Sequence, residues 1–290
     1  VIADVRDGAA RFGDLDTLEL HLKSGDFAAF IIEPIQGEGG INMPPANYFK
    51  AVREICDKYG VYFILDEIQT GLGRTGKMFA AEHENIIPDI MCLAKSLGGG
   101  VMPVGAFTTT KEVWNKAYGG IDKALLHTST FGGNTLATAA VIAAINEIVE
   151  RDLPGKAAEK GEYLINGLKE MAAKYEMIKE VRGRGLMVGL EFKQPKPGLL
   201  DKISGGLVNK LSNEYLGAMV AGALHNDHQI ITAYTLNNPN VIRFEPPLIV
   251  TKEEIDYLLD SLDDIFTKNK GLFSMTLSSA KTMLGGMFKK

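Results

Sequence analysis

The sequence has 290 residues, of which 46% are hydrophobic and 23% are charged, a composition typical of a globular protein large enough for two domains. The 31 Lys and Arg residues against 36 Asp and Glu give a net charge of −5, so no general attraction to nucleic acid or to an anionic membrane is expected. Without an apolar run of about 18 residues or a signal-peptide pattern, we expect neither a membrane span nor secretion. Cys56 and Cys92 lie in apolar contexts without a CxxC motif, which predicts reduced, buried thiols in a cytoplasmic protein.

The first half of the sequence alternates between strand-like and helix-like patterns. In the segment 46–59, apolar side chains recur at three- and four-residue spacing, which predicts a helix that Gly60 ends. Such alternation favours an α/β fold with a parallel sheet, whose functional sites lie at the carboxyl ends of the strands. The predicted strands are 27–32, 61–65, 90–94 and 104–108, and a long helix is predicted from about 134 to 150.

From about Asp152 the order of the patterns becomes mixed, which predicts a smaller α+β domain. We therefore expect three regions: a large domain over 1–151, a small C-terminal domain over 152–270 and a terminal tail over 271–290. The predicted elements of the small domain are helices at 156–174, 200–225 and 252–268, strands at 178–181 and 186–192, a Pro/Gly interruption at 195–198, and short strands near Ile230 and Val241.

An acid and an amine follow two of the predicted strands. Asp66 closes the apolar run 61–65, and Lys95 follows the run 90–94. Neighbouring parallel strands would bring both side chains to the same edge of the sheet. An enzyme that uses pyridoxal 5'-phosphate (PLP) needs such a pair, a lysine that holds the aldehyde as a Schiff base and an acid that keeps the pyridine nitrogen protonated. An isolated Asp and Lys at these positions would be solvated side chains at strand ends. The surrounding residues therefore decide between this interpretation and a PLP site.

Two neighbouring segments carry groups that suit the same cofactor. Gln69 has an amide that can donate to the phenolic oxygen of the ring. The segment 127–134 offers hydroxyl groups at a predicted helix start, where the helix dipole favours an anion such as phosphate. Each segment by itself would be read as a turn with a helix cap. Together with Asp66 and Lys95, Gln69 and the segment 127–134 form a set of groups that suits PLP binding.

The loop 71–77 has a competing interpretation, because Gly71, Gly73, Gly76 and Lys77 fit both a GxGxxG spacing and the start of a phosphate-binding P-loop. A P-loop next requires Ser or Thr, whereas Met78 follows here. The carboxylates of Asp66 and Glu67 would also repel phosphate. Nucleotide binding therefore stays a weak alternative. A second glycine pattern, 183–189, is interpreted as a turn into an edge strand.

Four stretches resemble the class III aminotransferases, a group of the fold type I PLP enzymes. They occur in the order and with the separations of that family, and the similarity extends to about residue 268. The stretches are 32–39, 65–76, 88–100 and 130–134. Within the family, the segments 102–103, 126–128 and 235–247 are most similar to putrescine aminotransferases, with the ornithine-type enzymes next.

The resemblance implies a fold and a set of cofactor-binding residues. The expected fold is the PLP-dependent transferase fold type I, with part of the large, mostly parallel-sheet domain and the smaller C-terminal domain. By analogy, Lys95 forms the Schiff base and then serves as the acid and base, Asp66 pairs with the pyridinium nitrogen, and Gln69 contacts the phenolic oxygen. Thr130 reaches the phosphate of a partner subunit, which implies a homodimer. No metal site is predicted.

The resemblance also implies how substrates bind. Arg243 corresponds to the arginine that binds the α-carboxylate of a 2-oxo acid, and Glu38 to the glutamate that neutralises it when an amine without that carboxylate is bound. The other interpretation of this pair is an ordinary surface ion pair. The predicted function is transfer of an amino group from a diamine or ω-amino acid to 2-oxoglutarate by a ping-pong mechanism. An aminomutase, a racemase and an inactive remnant remain alternatives, and the identity of the amino donor stays open.

The sequence also departs from the family pattern. Nothing before Glu33 matches the upstream segment of these enzymes, which contributes a phosphate-binding helix start and an aromatic residue stacked on the ring. We therefore expect this chain to be the C-terminal part of a longer enzyme and to bind PLP poorly when isolated.

Overall fold

The structure is a computed structural model that describes residues 11–123, 126–193 and 207–268. These residues form two compact units. Unit 1 contains the residues through Ile35 and Met43–Gly155, and unit 2 contains Gln36–Asn42 and the residues from Lys156 onward. The predicted domain boundaries, at 151/152 and 270/271, stay predictions. The tail 271–290, the interruption 195–198 and the start of the helix predicted from 200 lie outside the described residues.

Unit 1 contains a four-stranded sheet in the order β1-β2-β3-β4, formed by β1 (Ala29–Ile32), β2 (Tyr62–Asp66), β3 (Ile90–Leu93) and β4 (Ala106–Thr109). The first three strands are parallel, as the alternating pattern predicts. The fourth runs antiparallel to β3, so the expectation of a parallel strand at 104–108 is wrong. A parallel return needs a crossover, usually an α-helix, whereas only the short 3₁₀ helix Lys95–Gly98 separates β3 from β4.

The helices of unit 1 begin and end at residues suited to those positions. The Asp14 side chain accepts a hydrogen bond from the Thr17 amide at 3.0 Å and caps a first helix that was not predicted. The second ends at Gly60 in the left-handed region, with φ of 67°, as expected for a helix-terminating glycine. The core of the unit lies between these two helices and β2. The helices are α1 (Leu15–Leu22), α2 (Tyr48–Tyr59), α3 (Lys111–Tyr118) and α4 (Thr135–Glu150).

Unit 2 contains a second four-stranded sheet, in the order β5-β6-β8-β7 with antiparallel neighbours. Its strands are β5 (Ile178–Arg184), β6 (Met187–Phe192), β7 (Ala233–Tyr234) and β8 (Val241–Phe244). The prediction of an edge strand after the turn at 183–185 is wrong, because β6 pairs on both sides and all of its residues are buried. The edges of this sheet are β5 and β7.

Three long helices complete unit 2: α5 (Leu153–Lys174), which starts at the end of unit 1, α6 (Leu207–His228) and α7 (Lys252–Lys268). The helix predicted at 252–268 is confirmed over its full length. A core of apolar side chains from these helices, β6 and β8 forms the interior of the unit. Among the described residues, no helix is both long enough and apolar enough to cross a membrane.

Candidate active site

Asp66 and Lys95 lie at the carboxyl ends of adjacent parallel strands. Asp66 is the last residue of β2 and pairs in register with Cys92 of β3. The pairing continues for one residue, since the Glu67 amide donates to the Cys92 carbonyl at 3.0 Å. Lys95 follows two residues after Leu93, the last residue of β3. The expectation that these strands are neighbours, and that both residues follow them at the same edge of the sheet, is therefore met.

The Asp66 carboxylate has one oxygen engaged locally. Its Oδ1 accepts a hydrogen bond from the Ile68 amide at 3.0 Å, which fixes the side chain in an Asx turn. Within the described part of the chain, Oδ2 has no hydrogen-bond partner and no cation pairs with the carboxylate. The pKa of the neighbouring Cys92 thiol is raised, first by burial and then by the negative charge of Asp66. This end of β2 therefore presents a half-buried carboxylate with a free acceptor.

Lys95 occupies an unusual backbone conformation. Its φ is 50°, in the left-handed region, and it begins the 3₁₀ helix Lys95–Gly98 directly after the extended Ala94. For a residue with a Cβ this conformation costs about 1 kcal/mol or more, and such strain is concentrated at functional sites. The residue is exposed, and its amine forms no ion pair or hydrogen bond within the ranges that the structure describes. The amine is thus available to a ligand.

The Glu67 carboxylate is buried beneath the loop that follows β2. Its side chain is 1% exposed and accepts hydrogen bonds from Thr70 Oγ1 at 2.5 Å, the Ala80 amide at 3.0 Å and the Ala81 amide at 2.8 Å. Burial raises the pKa of Glu67 despite these donors. The Glu67 carboxylate closes the loop 67–81 through these hydrogen bonds. Gln69 lies within that loop and is half-buried.

The same loop does not have the geometry of a P-loop. In that motif the glycines lead directly into an α-helix, whose N-terminus binds the phosphates. Here the residues after Lys77 enter the short 3₁₀ helix Ala80–His83. The closure by Glu67 also places a buried carboxylate at its base. These features disfavour nucleotide binding at 71–77.

Thr130 lies in an exposed turn before α4. Asn134 caps the helix, since its Oδ1 accepts a hydrogen bond from the Ala137 amide at 2.9 Å. The helix packs near the turn after Lys95, where a Cβ on Gly99 would lie 3.2 Å from Ala144 Cβ. No hydrogen bond joins Thr130 to Asp66 or Lys95 in the described residues. Its predicted role toward a partner subunit's phosphate stays a prediction.

Glu38 and Arg243 form an ion pair within unit 2. The Arg243 Nη1 atom lies 2.6 Å from Glu38 Oε1, and the Arg243 and Glu38 side chains are 20% and 36% exposed, respectively. The second carboxylate oxygen of Glu38 accepts a hydrogen bond from the Leu236 amide at 3.1 Å. Arg243 also lines a cavity of about 600 Å³ bounded by β8 and α7. The two predicted substrate-binding residues therefore lie in contact with each other.

Known proteins resemble this chain over most of its length. The Aminotransferase class-III family profile matches residues 6–266. The ornithine aminotransferase of Toxoplasma gondii has 35% sequence identity and a TM-score of 0.77, over 90% of this chain and 56% of that chain. The Plasmodium falciparum ornithine delta-aminotransferase has 33% identity and a TM-score of 0.73, over 87% of this chain and 59% of that chain.

A third solved structure is similar to this chain over a comparable length. The acetylornithine aminotransferase of Elizabethkingia anophelis has 31% identity and a TM-score of 0.76, over 89% of this chain and 61% of that chain. This chain thus spans between 56% and 61% of the length of these three structures. The expected α/β fold with a mostly parallel sheet is confirmed by these similarities. The chain belongs to the class III aminotransferase family.

Proposed function

We propose that this chain carries the cofactor-binding and substrate-binding residues of a PLP-dependent transaminase. The reaction moves an amino group from a diamine or an ω-amino acid to 2-oxoglutarate in two half-reactions. The observation that carries the proposal is the position of Asp66 and Lys95 after adjacent parallel strands in a class III aminotransferase chain.

The chemistry of the available groups fits PLP. The cofactor has an aldehyde, which an amine can hold, and a pyridine nitrogen, whose protonated form an adjacent carboxylate stabilises. Neither the Lys95 amine nor the Oδ2 atom of Asp66 has a hydrogen-bond partner among the described residues. Gln69 would contribute an amide to the phenolic oxygen. The similar Toxoplasma gondii enzyme has PLP at partial occupancy in its active site.

Lys95 and Asp66 have different roles toward the protons of the reaction. When bound, PLP supplies an electron-withdrawing ring that stabilises negative charge on the substrate carbon. Lys95 Nζ would take the proton from that substrate carbon and deliver it to the C4′ carbon of the cofactor, so that the amino group stays with the cofactor when the oxo acid leaves. The Asp66 carboxylate would accept a hydrogen bond from the ring nitrogen and so favour a proton on that nitrogen.

Glu38 and Arg243 suit a site that accepts two different substrates. Arginine binds a carboxylate through two parallel hydrogen bonds, which suits the α-carboxylate of 2-oxoglutarate. When the substrate is an amine without that group, Glu38 keeps the arginine neutralised. The names of the ornithine and acetylornithine relatives support an ω-amino donor, and the resemblance of 235–247 to putrescine enzymes keeps putrescine among the candidates.

The proposal includes a homodimer in the cytoplasm. In that dimer, Thr130 would donate to the cofactor phosphate of the partner subunit. Support for the dimer comes from the exposed position of Thr130 and from the large exposed side chains nearby, including Phe131 at 80% and Leu136 at 72%. Sedimentation of the PLP-loaded protein tests it, and a monomer with full activity would contradict it.

Covalent trapping tests the proposal without requiring tight binding. The chain is incubated with excess PLP, reduced with borohydride and mapped by peptide mass spectrometry. We expect the adduct on Lys95, and no adduct at that position in Lys95→Arg. Lys77 is exposed like Lys95, so Lys77→Arg is the matched control and should keep the Lys95 adduct. Adducts spread over surface lysines, with Lys95 unmodified, would refute the assignment.

An aminomutase or a racemase would use the same cofactor residues. These activities need no amino acceptor, whereas a transaminase stops after one half-reaction without one. A requirement for 2-oxoglutarate in multiple-turnover assays therefore distinguishes them. The contact between Glu38 and Arg243 supports the transaminase, because it provides for two dissimilar substrates.

A further inference from the structure

The segment Gln36–Asn42, which we name the Glu38 loop, lies between β1 and α2 in sequence but belongs to unit 2. The loop is closed by a β-bridge between Gln36 and Asn42, and the Asn42 amide group donates to the Gln36 side chain at 3.1 Å. Its position in unit 2 therefore depends on contacts made by residues far away in sequence.

Arg182 of β5 donates three hydrogen bonds to the backbone of this loop. Its Nε donates to the carbonyls of Gly40 at 3.0 Å and Ile41 at 3.2 Å, and its Nη2 donates to the Gly40 carbonyl at 2.6 Å. The remaining Nη1 pairs with Glu191 and with Glu180. The Arg182 side chain is only 11% exposed. One largely buried guanidinium thus joins the loop to two carboxylates of the sheet.

The loop backbone is strained where Arg182 holds it. Ile41 has φ of 54° and is completely buried, and a β-branched residue rarely adopts this conformation. Gly40 has φ of 120°. A Cβ on Gly189 of β6 would approach Ile41 Cβ to 3.0 Å, so the side chain packs closely against the sheet. Strain of this kind persists only where the surroundings fix it, and the bonds from Arg182 provide part of that constraint.

The position of the loop determines the position of Glu38. The Glu38 carbonyl accepts a hydrogen bond from the Asn237 amide at 3.1 Å, and its carboxylate contacts the Leu236 amide and Arg243. A small displacement of Gly40 and Ile41 would move Glu38 away from these three partners together. Arg182, which binds the carbonyls of Gly40 and Ile41, therefore influences the Glu38–Arg243 ion pair through the backbone of the loop.

We propose that Arg182 is a positioning residue that sets the Glu38–Arg243 ion pair and thereby the discrimination between substrates with and without an α-carboxylate. The discrimination rests on the function proposed above. The anchoring of the loop does not, since it depends only on contacts within unit 2. Substitution of Arg182 should therefore change the loop first and the substrate preference through it.

Hydrogen exchange at single amides tests the anchoring in the full 290-residue chain. In Arg182→Lys, the charge beside Glu191 is kept but the fork that reaches both loop carbonyls is lost. We expect the Leu236 and Asn237 amides, which donate to Glu38, to exchange about tenfold faster. Lys179→Met is the matched control, because it removes the other cation of Glu191 without touching the loop. It should leave both amides as in the wild type.

Two results would overturn the anchoring role. One is unchanged exchange at Leu236 and Asn237 in Arg182→Lys. The other is equal acceleration throughout α7, which would show general loosening of unit 2 rather than release of the loop. Arg182→Met, which also removes the charge, should accelerate the two amides at least as much as Arg182→Lys does.

Steady-state kinetics test the consequence for substrates. In Arg182→Lys, we expect the KM for an amine donor without an α-carboxylate to rise about threefold to tenfold, with kcat nearly unchanged. In a Glu38→Gln background the same substitution should have no further effect, because the two changes act on one pair. Independent, additive effects would refute the coupling. A wild type that carries PLP on Lys95 but transfers no amino group refutes the proposed function, and the exchange result then still decides whether Arg182 holds the loop.

Discussion

Neighbouring carboxylates at the end of β2 have opposite environments because side chains alternate along a strand. Phe63 and Leu65 are completely buried, and two residues further Glu67 continues the same buried face. Asp66 lies on the other face, with one oxygen that has no partner among the described residues. The alternation therefore gives Glu67 a structural role in the loop and leaves Asp66 as the carboxylate for the proposed contact with PLP.

Replacement of the buried acid should change how stability depends on pH. Burial raises the pKa of Glu67 above its ordinary value of 4.5, so the folded protein keeps this proton where the unfolded chain has lost it. The contribution of the group is therefore complete below the unfolded pKa and is lost as the pH rises through the folded pKa. Glu67→Gln should abolish that part of the pH dependence and cost about 1–2 kcal/mol at acidic pH, through the altered hydrogen bonds.

Chemical denaturation across the acidic range measures this effect. The exposed Glu54→Gln variant is the control and should keep the wild-type profile. If Glu67→Gln kept the same pH dependence as the wild type, the buried carboxylate would not be its source.

Arg243 should be sensitive to a change that keeps its charge. Arg243→Lys loses the two parallel hydrogen bonds to a carboxylate, so we expect the KM for the oxo acid substrate to rise about tenfold or more. Arg184→Lys, on an exposed position of β5, is the matched control. Initial-rate kinetics with varied oxo acid give the result, and an unchanged KM in Arg243→Lys would exclude direct carboxylate binding.

The cofactor-binding candidates could be predicted from sequence, whereas Arg182 could not. Asp66 and Lys95 each follow a continuous apolar run, and neighbouring strands make such residues converge. The role of Arg182 depends on the register of β5 with β6 and on contact with a loop about 140 residues earlier. Neither is visible in local periodicity. Glu67 is an intermediate case, since the alternation along β2 predicts its burial.

Two glycines of this protein, one at a helix end and one inside a helix, differ in backbone conformation. Gly60 ends α2 in the left-handed conformation, where a Cβ would meet no atom within 4 Å. Gly222 lies within α6, and a Cβ there would also meet no atom within 4 Å. The two glycines thus differ in backbone conformation and share an open environment.

This pair makes a matched test of backbone strain. Gly60→Ala should lower the free energy of unfolding by about 1 kcal/mol, because alanine disfavours positive φ. Gly222→Ala should raise it by about 0.5–1 kcal/mol, because alanine favours a helix interior. Thermal or chemical denaturation of both variants gives the signs. Effects of the same sign would contradict the conformational explanation.

Elements with strong local signals were predicted best. The amphipathic period of α7 predicts its full extent, 252–268, and the start of α4 directly after Asn134 follows from the capping side chain of that residue. The start of α5 was placed three residues late, because its first turn contains Pro154, which is favourable there. The direction of β4 and the central position of β6 depend on pairing between distant strands, which sequence periodicity does not specify.

The two compact units have separate hydrophobic cores. The core of unit 1 consists of side chains between Leu18 and Ile86, and that of unit 2 of side chains between Ala157 and Phe266. Unit 1 also leaves several large apolar side chains exposed on α4 and the turn before it. We therefore expect the two units to unfold separately, as is common in proteins with more than one core.

The position of the sole tryptophan makes this testable. Trp114 belongs to unit 1, so its fluorescence reports on that unit, whereas circular dichroism reports on the helices of both. In urea, the fluorescence transition should occur at lower denaturant concentration than the final loss of helix signal, since more large apolar side chains are exposed in the described part of unit 1 than in that of unit 2. Coincident transitions would indicate a single cooperative unit.

The proposed transaminase depends on Asp66 facing the ring nitrogen of a cofactor held by Lys95. Nitrogen-15 NMR of ring-labelled PLP bound to the protein reports the protonation of that nitrogen directly. We expect a protonated nitrogen in the wild type and an unprotonated one in Asp66→Asn, with the label still attached at Lys95 in both. A nitrogen whose protonation is the same in the two proteins would contradict the assignment of Asp66 and, with it, the proposed active site.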